Sequence, residues 1–389
     1  MRILLPLMML CLSAQAQAQS SQDQPTSEEY QADALQLGQQ IEQAYAYRDR
    51  FEDEEIPFNA TLQAEAEAVT DARSLLRYVE RALLLLQDHH AITGSSLSDS
   101  WAVVPSYADL WIIFEDDQYV VDAVRAGSPA EDVGVVAGMR LTGVDGLTTA
   151  AAVRAFWQDL GHIPEGEEAM SFAARVLAAG RRDRPRRLAF AGSGSSLDLE
   201  LPNLYAIERE DMPLVTLVRD GNAATIRIND SLGNDETIAA FDIAMREVQD
   251  ASSIVIDLTE TPGGGNTRVA RAIMGWFITE AMPYQMHDLP AEQRQTGIAR
   301  RWMEYVLPRE GQHYDGEVSV RVGRWTGSMG EGLAIGMHAF GFAVEGHEMA
   351  GLLGAIYDLR LSNSQMMYKL PVERLSAVDG TPREDFVVD

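Results

Sequence analysis

Residues 318–334 read V-S-V-R-V-G-R-W-T-G-S-M-G-E-G-L-A. Val318, Val320 and Val322 alternate with Ser319 and Arg321, the period of a strand, and the run breaks at a Gly-rich turn before a Gly/Leu/Ala stretch of helical character. Ser328 stands in that turn. A serine between a strand end and a helix N-terminus exposes its hydroxyl while the first helical N–H groups point at whatever is bonded to it. The plainer use of the same residues is a flexible loop ending in a helix N-cap. A short G-S-x-G does not choose between these two uses, so the choice falls to the rest of the chain.

With 389 residues, of which 46% are apolar and 23% charged, the chain has ample material for two or three domains. Arg2, the apolar run 3–12 and the alternating Ala14, Ala16 and Ala18 follow the order of a secretory signal peptide over residues 1–18, which predicts export to the periplasm or the medium. Cys11, the one cysteine, follows Leu10 where a lipoprotein site wants a small residue. Cleavage after Ala16 or Ala18 would leave no thiol and no disulfide. No later apolar run reaches the roughly 18 residues of a membrane span. A net charge of −28 argues against nucleic acid and against anionic lipid. The basic cluster Arg181, Arg182, Arg184, Arg186 and Arg187 reads as a solvated hairpin loop.

Residues 27–87 carry apolar side chains at helical spacing, including Leu75, Leu76, Val79, Ala82, Leu83 and Leu86, and predict two or three packed helices. They end at Asp88-His89-His90, where adjacent histidines point to opposite sides and at most one serves a site. Then come a strand at 119–124, a Ser-Pro-capped short helix from Ser128, a Gly turn and strand at 138–141, a helix at 150–160 and strands around 187–201. From Tyr205 the pattern is α/β. Residues 224–228 and the apolar run 254–258 predict strands, and 236–249 predicts a helix. Thr259-Glu260-Thr261-Pro262-Gly263-Gly264-Gly265-Asn266 then forms a turn whose backbone can approach a ligand closely, before a helix at 267–277. It lacks the G-K-(S/T) ending of a phosphate loop. Residues 294–308, with Trp302 and Tyr305, read as a further helix.

Gly127 to Ala130 (G-S-P-A) and Gly138 to Leu141 (G-M-R-L) resemble a PDZ domain of the exported-protease kind. Together with I-V-I-D-L-T-E-T-P-G-G at 254–264 and T-G-S-M-G-E at 326–331, they resemble the C-terminal-processing and tricorn-core family of serine peptidases. That resemblance implies a multi-domain α+β protein: an N-terminal helical region over 27–107, a PDZ-like β-rich domain over 108–203 and an α/β, crotonase-like peptidase domain over 204–389. It implies Ser328 as nucleophile, with the N–H of Met329 and of Gly263 or Gly264 as oxyanion hole. One branch of the family takes its base from a lysine about two dozen residues after the serine, and residues 340–355 contain none. The tricorn-like branch implies His90 as base and Glu384 as its orienter, with Glu373 in reserve and His338 and His347 as minor alternatives. Glu331 matches an acidic residue often found three after the serine, a position the helix dipole favours in any case. The chain departs from the family at Thr259-Glu260, where an arginine is usual, and at its V-V-D ending.

The expectation is thus an exported serine endopeptidase acting on peptides or unfolded protein, presented by the PDZ-like domain, with no metal or organic cofactor. A homo-oligomer stays open. The alternatives are a hydrolase of a small ester or amide, and a peptide- or lipid-binding protein without turnover.

Overall fold

A computed structural model describes residues 24–192, 194–207, 212–261 and 264–388. The expected signal peptide, with Cys11, and Gly263 of the expected oxyanion hole lie outside the described residues. Among the described residues no helix is long and apolar enough to cross a membrane.

Three helices open the chain, Ser27–Ala44, Ala60–Glu67 and Ala72–Leu84, each started by a side-chain cap from Thr26, Asn59 and Asp71. The last of them leads through Asp88 and His90 into Ile92–Thr93, which pairs antiparallel with the long strand Met367–Ser376. That pairing fixes the His90 segment to the C-terminal part of the chain. Met367–Ser376 also pairs with Ala355–Arg360 and Met282–Asp288, and the latter pairs with Arg301–Val306.

A second sheet runs in the order Leu110–Glu115, Gln118–Val124, Arg140–Val144, Arg186–Gly192, Ser195–Leu201, with Leu110–Glu115 at its edge. Ser128 caps the short Pro129–Asp132 helix beside it. The helix Gly166–Ala179 covers the open edge, and the Phe114 N–H donates to the Ser171 hydroxyl at 2.8 Å. The third sheet has the order Ala343–Gly346, Glu317–Val322, Ser253–Asp257, Ala223–Ile228, Val215–Asp220. Its four leading strands are parallel, with Asp257 opposite Arg321 in register. The turns after Asp257 and after Val322 therefore leave the sheet side by side at its carboxyl edge, where open α/β sheets place their ligands.

Two readings of the sequence are corrected here. Residues 294–308 are not one helix: Pro290–Thr296 is helical, Gly297 ends it in the left-handed conformation (φ 73°), and Arg301–Val306 is a strand. Trp302 and Tyr305 sit three apart as on a helix, but Trp302 lies opposite His287 across the strand pair. The arginine cluster is not wholly solvated either. Arg186 is buried, donating to both Asp109 carboxylate oxygens at 2.6 and 2.9 Å, and Arg181 lies over the Trp101 ring.

Candidate active site

The two turns are tied to each other before any chemistry is considered. The Thr326 hydroxyl donates to the Leu258 carbonyl at 2.8 Å and accepts from the Gly323 N–H at 3.1 Å, so the serine turn hangs from the end of the neighbouring strand. Ser328 follows with φ 55° and ψ −117°, a backbone that L side chains rarely adopt, and the helix Met329–Ala339 starts after it. Such strain persists where the surroundings over-determine it, and it turns the hydroxyl out of the sheet edge. Gly264 packs directly on this residue: a Cβ there would lie 2.4 Å from both Cβ and Oγ of Ser328 and 2.9 Å from the Met329 nitrogen. Among the described residues no acceptor takes the Met329 N–H. It is one of the helix's orphan donors, aimed by the helix start beside the serine.

Glu331, one turn into the helix and fully buried, accepts from the Ser328 N–H at 2.6 Å, the Gly351 N–H at 2.9 Å and the Leu352 N–H at 3.3 Å. Burial pushes its carboxyl up to about 7 against the opposing pull of Arg383 and these three donors.

His90 is buried, and the Asp88 carboxylate accepts its main-chain N–H at 2.8 Å. Its Nδ1 lies 2.7 Å from the Leu353 carbonyl. A carbonyl can only accept, so Nδ1 carries the proton and Nε2 keeps its lone pair. Burial first, and the Arg383 charge second, push this imidazole down to about 3. Glu384 lies on the short turn Arg383–Asp385, where its carboxylate accepts from the Tyr47 hydroxyl at 3.5 Å and burial raises its pKa. Among the described residues no hydrogen bond joins Ser328 Oγ to His90 or Glu384, and the partner of Nδ1 is a main-chain carbonyl.

The reserve residues go elsewhere. Glu373 accepts from His287 Nδ1 at 2.8 Å and from the Tyr357 hydroxyl. His287 is held on its other side by Glu304 at 3.3 Å and stacks on Trp302. Burial lowers its pKa, and the two carboxylates overrule that and carry it up to about 9, so it stays charged at neutral pH and cannot act as a base. His338 meets the Phe386 ring, His347 is half-exposed near Asp122, and His89 accepts from Arg175 while stacking on Phe172. Lys369 pairs with Asp358 at 2.5 Å. Sequence reasoning missed Leu353, whose contribution is a carbonyl that any residue carries, and Arg383, which precedes Glu384 and carried no spacing signal.

A polar cavity of about 330 Å³ borders the site, lined among others by Asp88, Trp111, Arg175, Arg324, Leu353 and Glu384. An apolar cavity of about 350 Å³, lined in part by Asp88 and His89, lies between the Ala72–Leu84 helix and Phe156, Phe172 and Trp101. The serine turn itself is anchored to the second sheet, since Arg324 pairs with Asp122 at 2.6 Å and the Trp325 indole N–H donates to the Ala108 carbonyl at 2.7 Å.

Residues 222–385 match the model of Peptidase family S41. No curated protein sequence matches the chain. Among solved structures, the chain is similar to the photosystem II D1 C-terminal processing protease, at 16% identity over 92% of each chain with a TM-score of 0.56. It is also similar to mature CPAF, at 11% identity over 93% of this chain and 92% of that one, with a TM-score of 0.58. These likenesses establish the fold, a mixed α/β protein with several sheets like the S41 proteases. Both glycine-rich turns, Glu331 and Glu384 fall inside the matched span and His90 falls outside it, and the matched residues make the chain a serine-type peptidase.

Proposed function

We propose that the protein is an exported serine endopeptidase in which Ser328 attacks the peptide carbonyl and His90 is the base. The observation that carries this reading is the seating of Gly264 against a backbone-strained Ser328 at a helix start, with the Met329 N–H beside it. A carbonyl bonded to Ser328 Oγ would place its developing negative oxygen toward the Met329 N–H and the Gly264 backbone beside it, the two sides of an oxyanion hole. The hydroxyl proton passes to Nε2 of His90, which returns it to the departing amine, and water then releases the acyl group by the same route in reverse. The Leu353 carbonyl sets the tautomer this transfer needs. Glu384, which lines the polar cavity bordering the site and accepts from Tyr47, is the orienter that the family resemblance implies. Hydrogen bonds of this kind are often long or unmade before substrate binds, so the absence of a Ser328–His90 bond in the free protein is compatible with the assignment.

The substrate is a peptide or an unfolded protein segment. Presentation by the PDZ-like sheet through strand addition at Leu110–Glu115 requires the Gly166–Ala179 helix to leave the edge it covers. The test is a fluorophosphonate probe on the intact chain, followed by peptide cleavage. Labelling mapped to Ser328 and abolished in Ser328→Ala, with cleavage of an unfolded protein, is the expected result. Labelling without peptide cleavage would make it a hydrolase of small esters or amides, and no labelling would leave a binding protein. Fractionation of cells expressing the full chain, with the N-terminus of the mature form sequenced, tests export and cleavage after Ala16 or Ala18.

A further inference from the structure

Arg383 and Glu331 are both buried, and between them they hold the same two residues by opposite ends. Glu331 accepts the N–H groups of Ser328, Gly351 and Leu352. Arg383 donates to the carbonyls of Ser328 at 3.4 Å, Leu352 at 2.5 Å and Gly354 at 2.6 Å. Its Nε lies 4.0 Å from Glu331 and has no hydrogen-bond partner among the described residues. The guanidinium thus spends its strong bonds on main-chain carbonyls and not on its counter-ion. Leu353 sits between Leu352 and Gly354, whose carbonyls Arg383 takes, and its own carbonyl holds His90 Nδ1. We propose that Arg383 and Glu331 act as one positioning brace, which fixes the Ser328 turn against the 351–354 segment and, through Leu353, fixes the His90 ring relative to the serine.

A buried ion pair is poor evidence of stabilisation, because removing two charges from water costs about as much as their attraction returns. What this pair provides is geometry: charge-assisted bonds to the N–H and to the carbonyl of both Ser328 and Leu352, which no apolar pair can make. The inference rests on the serine–histidine reading above. The charges that face His90 are the cations Arg383 and Lys369, with the Asp88 carboxylate on its main-chain N–H.

The test uses the full chain with Arg383→Met, Arg383→Lys, Glu331→Gln and the Met/Gln double variant. Expected for Arg383→Met is a loss of about 30-fold or more in kcat/KM and in fluorophosphonate labelling rate, with KM within about three-fold. Arg383→Lys recovers part of the loss. The double variant is no more than about three-fold slower than the slower single, since residues acting as one unit are not additive. The acidic limb of kcat/KM moves to higher pH in Arg383→Met, a shift that mere loosening of the fold would not give. Losses that multiply in the double variant, or an Arg383→Met enzyme within about three-fold of wild type, overturn the brace. If Arg383→Met fails to fold, Arg383→Lys and Glu331→Gln decide by the same criteria. Imidazole ¹⁵N shifts add a readout independent of turnover: His90 should be one Nδ1–H tautomer in the wild type and a mixture in Arg383→Met. If the wild type proves inactive and unlabelled, the peptidase reading falls, and an unchanged tautomer in Arg383→Met then overturns the brace while a mixed one upholds it.

Discussion

Gly264 lies so close to Ser328 that its α-hydrogen stands where a methyl group would be 2.4 Å from the serine's Cβ and Oγ. No side chain at 264 fits without displacing the nucleophile or the turn itself. Gly264→Ala should therefore cost kcat/KM about 10²-fold or more, and some stability with it, because the adjacent Gly265 is packed against the Leu232 and Gly233 backbone. Kinetics and chemical denaturation on the same preparation check this. An active Gly264→Ala enzyme would remove Gly264 from the oxyanion hole.

The pH profile separates two groups that the sequence alone would confuse. A histidine base suggests a rise in kcat/KM through an ionisation between about 6 and 8, raised by a nearby carboxylate. In the structure His90 is held at about 3, so it is already neutral at pH 5 and gives no limb in that range. Glu331 is pushed up to about 7 by burial, and it accepts its three N–H groups most strongly when ionised. Activity should thus rise with pH through one ionisation near 7 that belongs to Glu331. Glu331→Gln should be slower and flat from about pH 5 to 8. A limb that survives in Glu331→Gln would return the ionisation to the histidine.

The serine turn and the first glycine turn were legible because each follows a strand with its own pattern, Val318/Val320/Val322 in one and the run 254–258 in the other, and parallel pairing then brings their ends together. The helix Gly166–Ala179 was not legible. From Ala169 on it is buried on nearly all sides, among Ala173, Ala174, Ala178 and Phe172, in an alanine-rich run without the larger apolar residues that marked the other helices. The pairing of Glu373 with His287 joins residues 86 apart on different strands, and Arg383 looks in sequence like any surface arginine. What holds His90 is a carbonyl, and side-chain identity says nothing about where a carbonyl points.

The covered edge of Leu110–Glu115 makes its own prediction. Peptides ending in a free carboxylate and their amides should bind the intact chain equally, since the strand that would receive them is occupied. Ser171→Ala leaves the part-buried Phe114 N–H without its acceptor, at a cost toward the low end of the about 1–3 kcal/mol of a fully buried donor. Urea denaturation measures the cost and calorimetry with the acid/amide pair measures the binding. A several-fold preference for the acid would show that the helix yields its place.

His287 provides a stability switch whose sign can be worked out. Its folded pKa of about 9 lies above the ordinary value near ~6.5, because Glu373 and Glu304 outweigh burial. A group with a raised folded pKa contributes its stability fully below the unfolded value and loses it as pH rises through the folded one. The window is therefore about 6.5 to 9, and the contribution is at most about 3 kcal/mol. Glu304 moves the complementary way, its pKa lowered by His287 and Tyr284 against the effect of burial. His287→Gln keeps the ring's approximate volume but carries no charge. It should be clearly less stable than the wild type in urea at pH 6, and the gap should narrow steadily to pH 9 as the wild type loses its imidazolium. A gap that stays constant across that range would mean that the Trp302 stack and shape, not the charge between the two glutamates, hold this part of the sheet together.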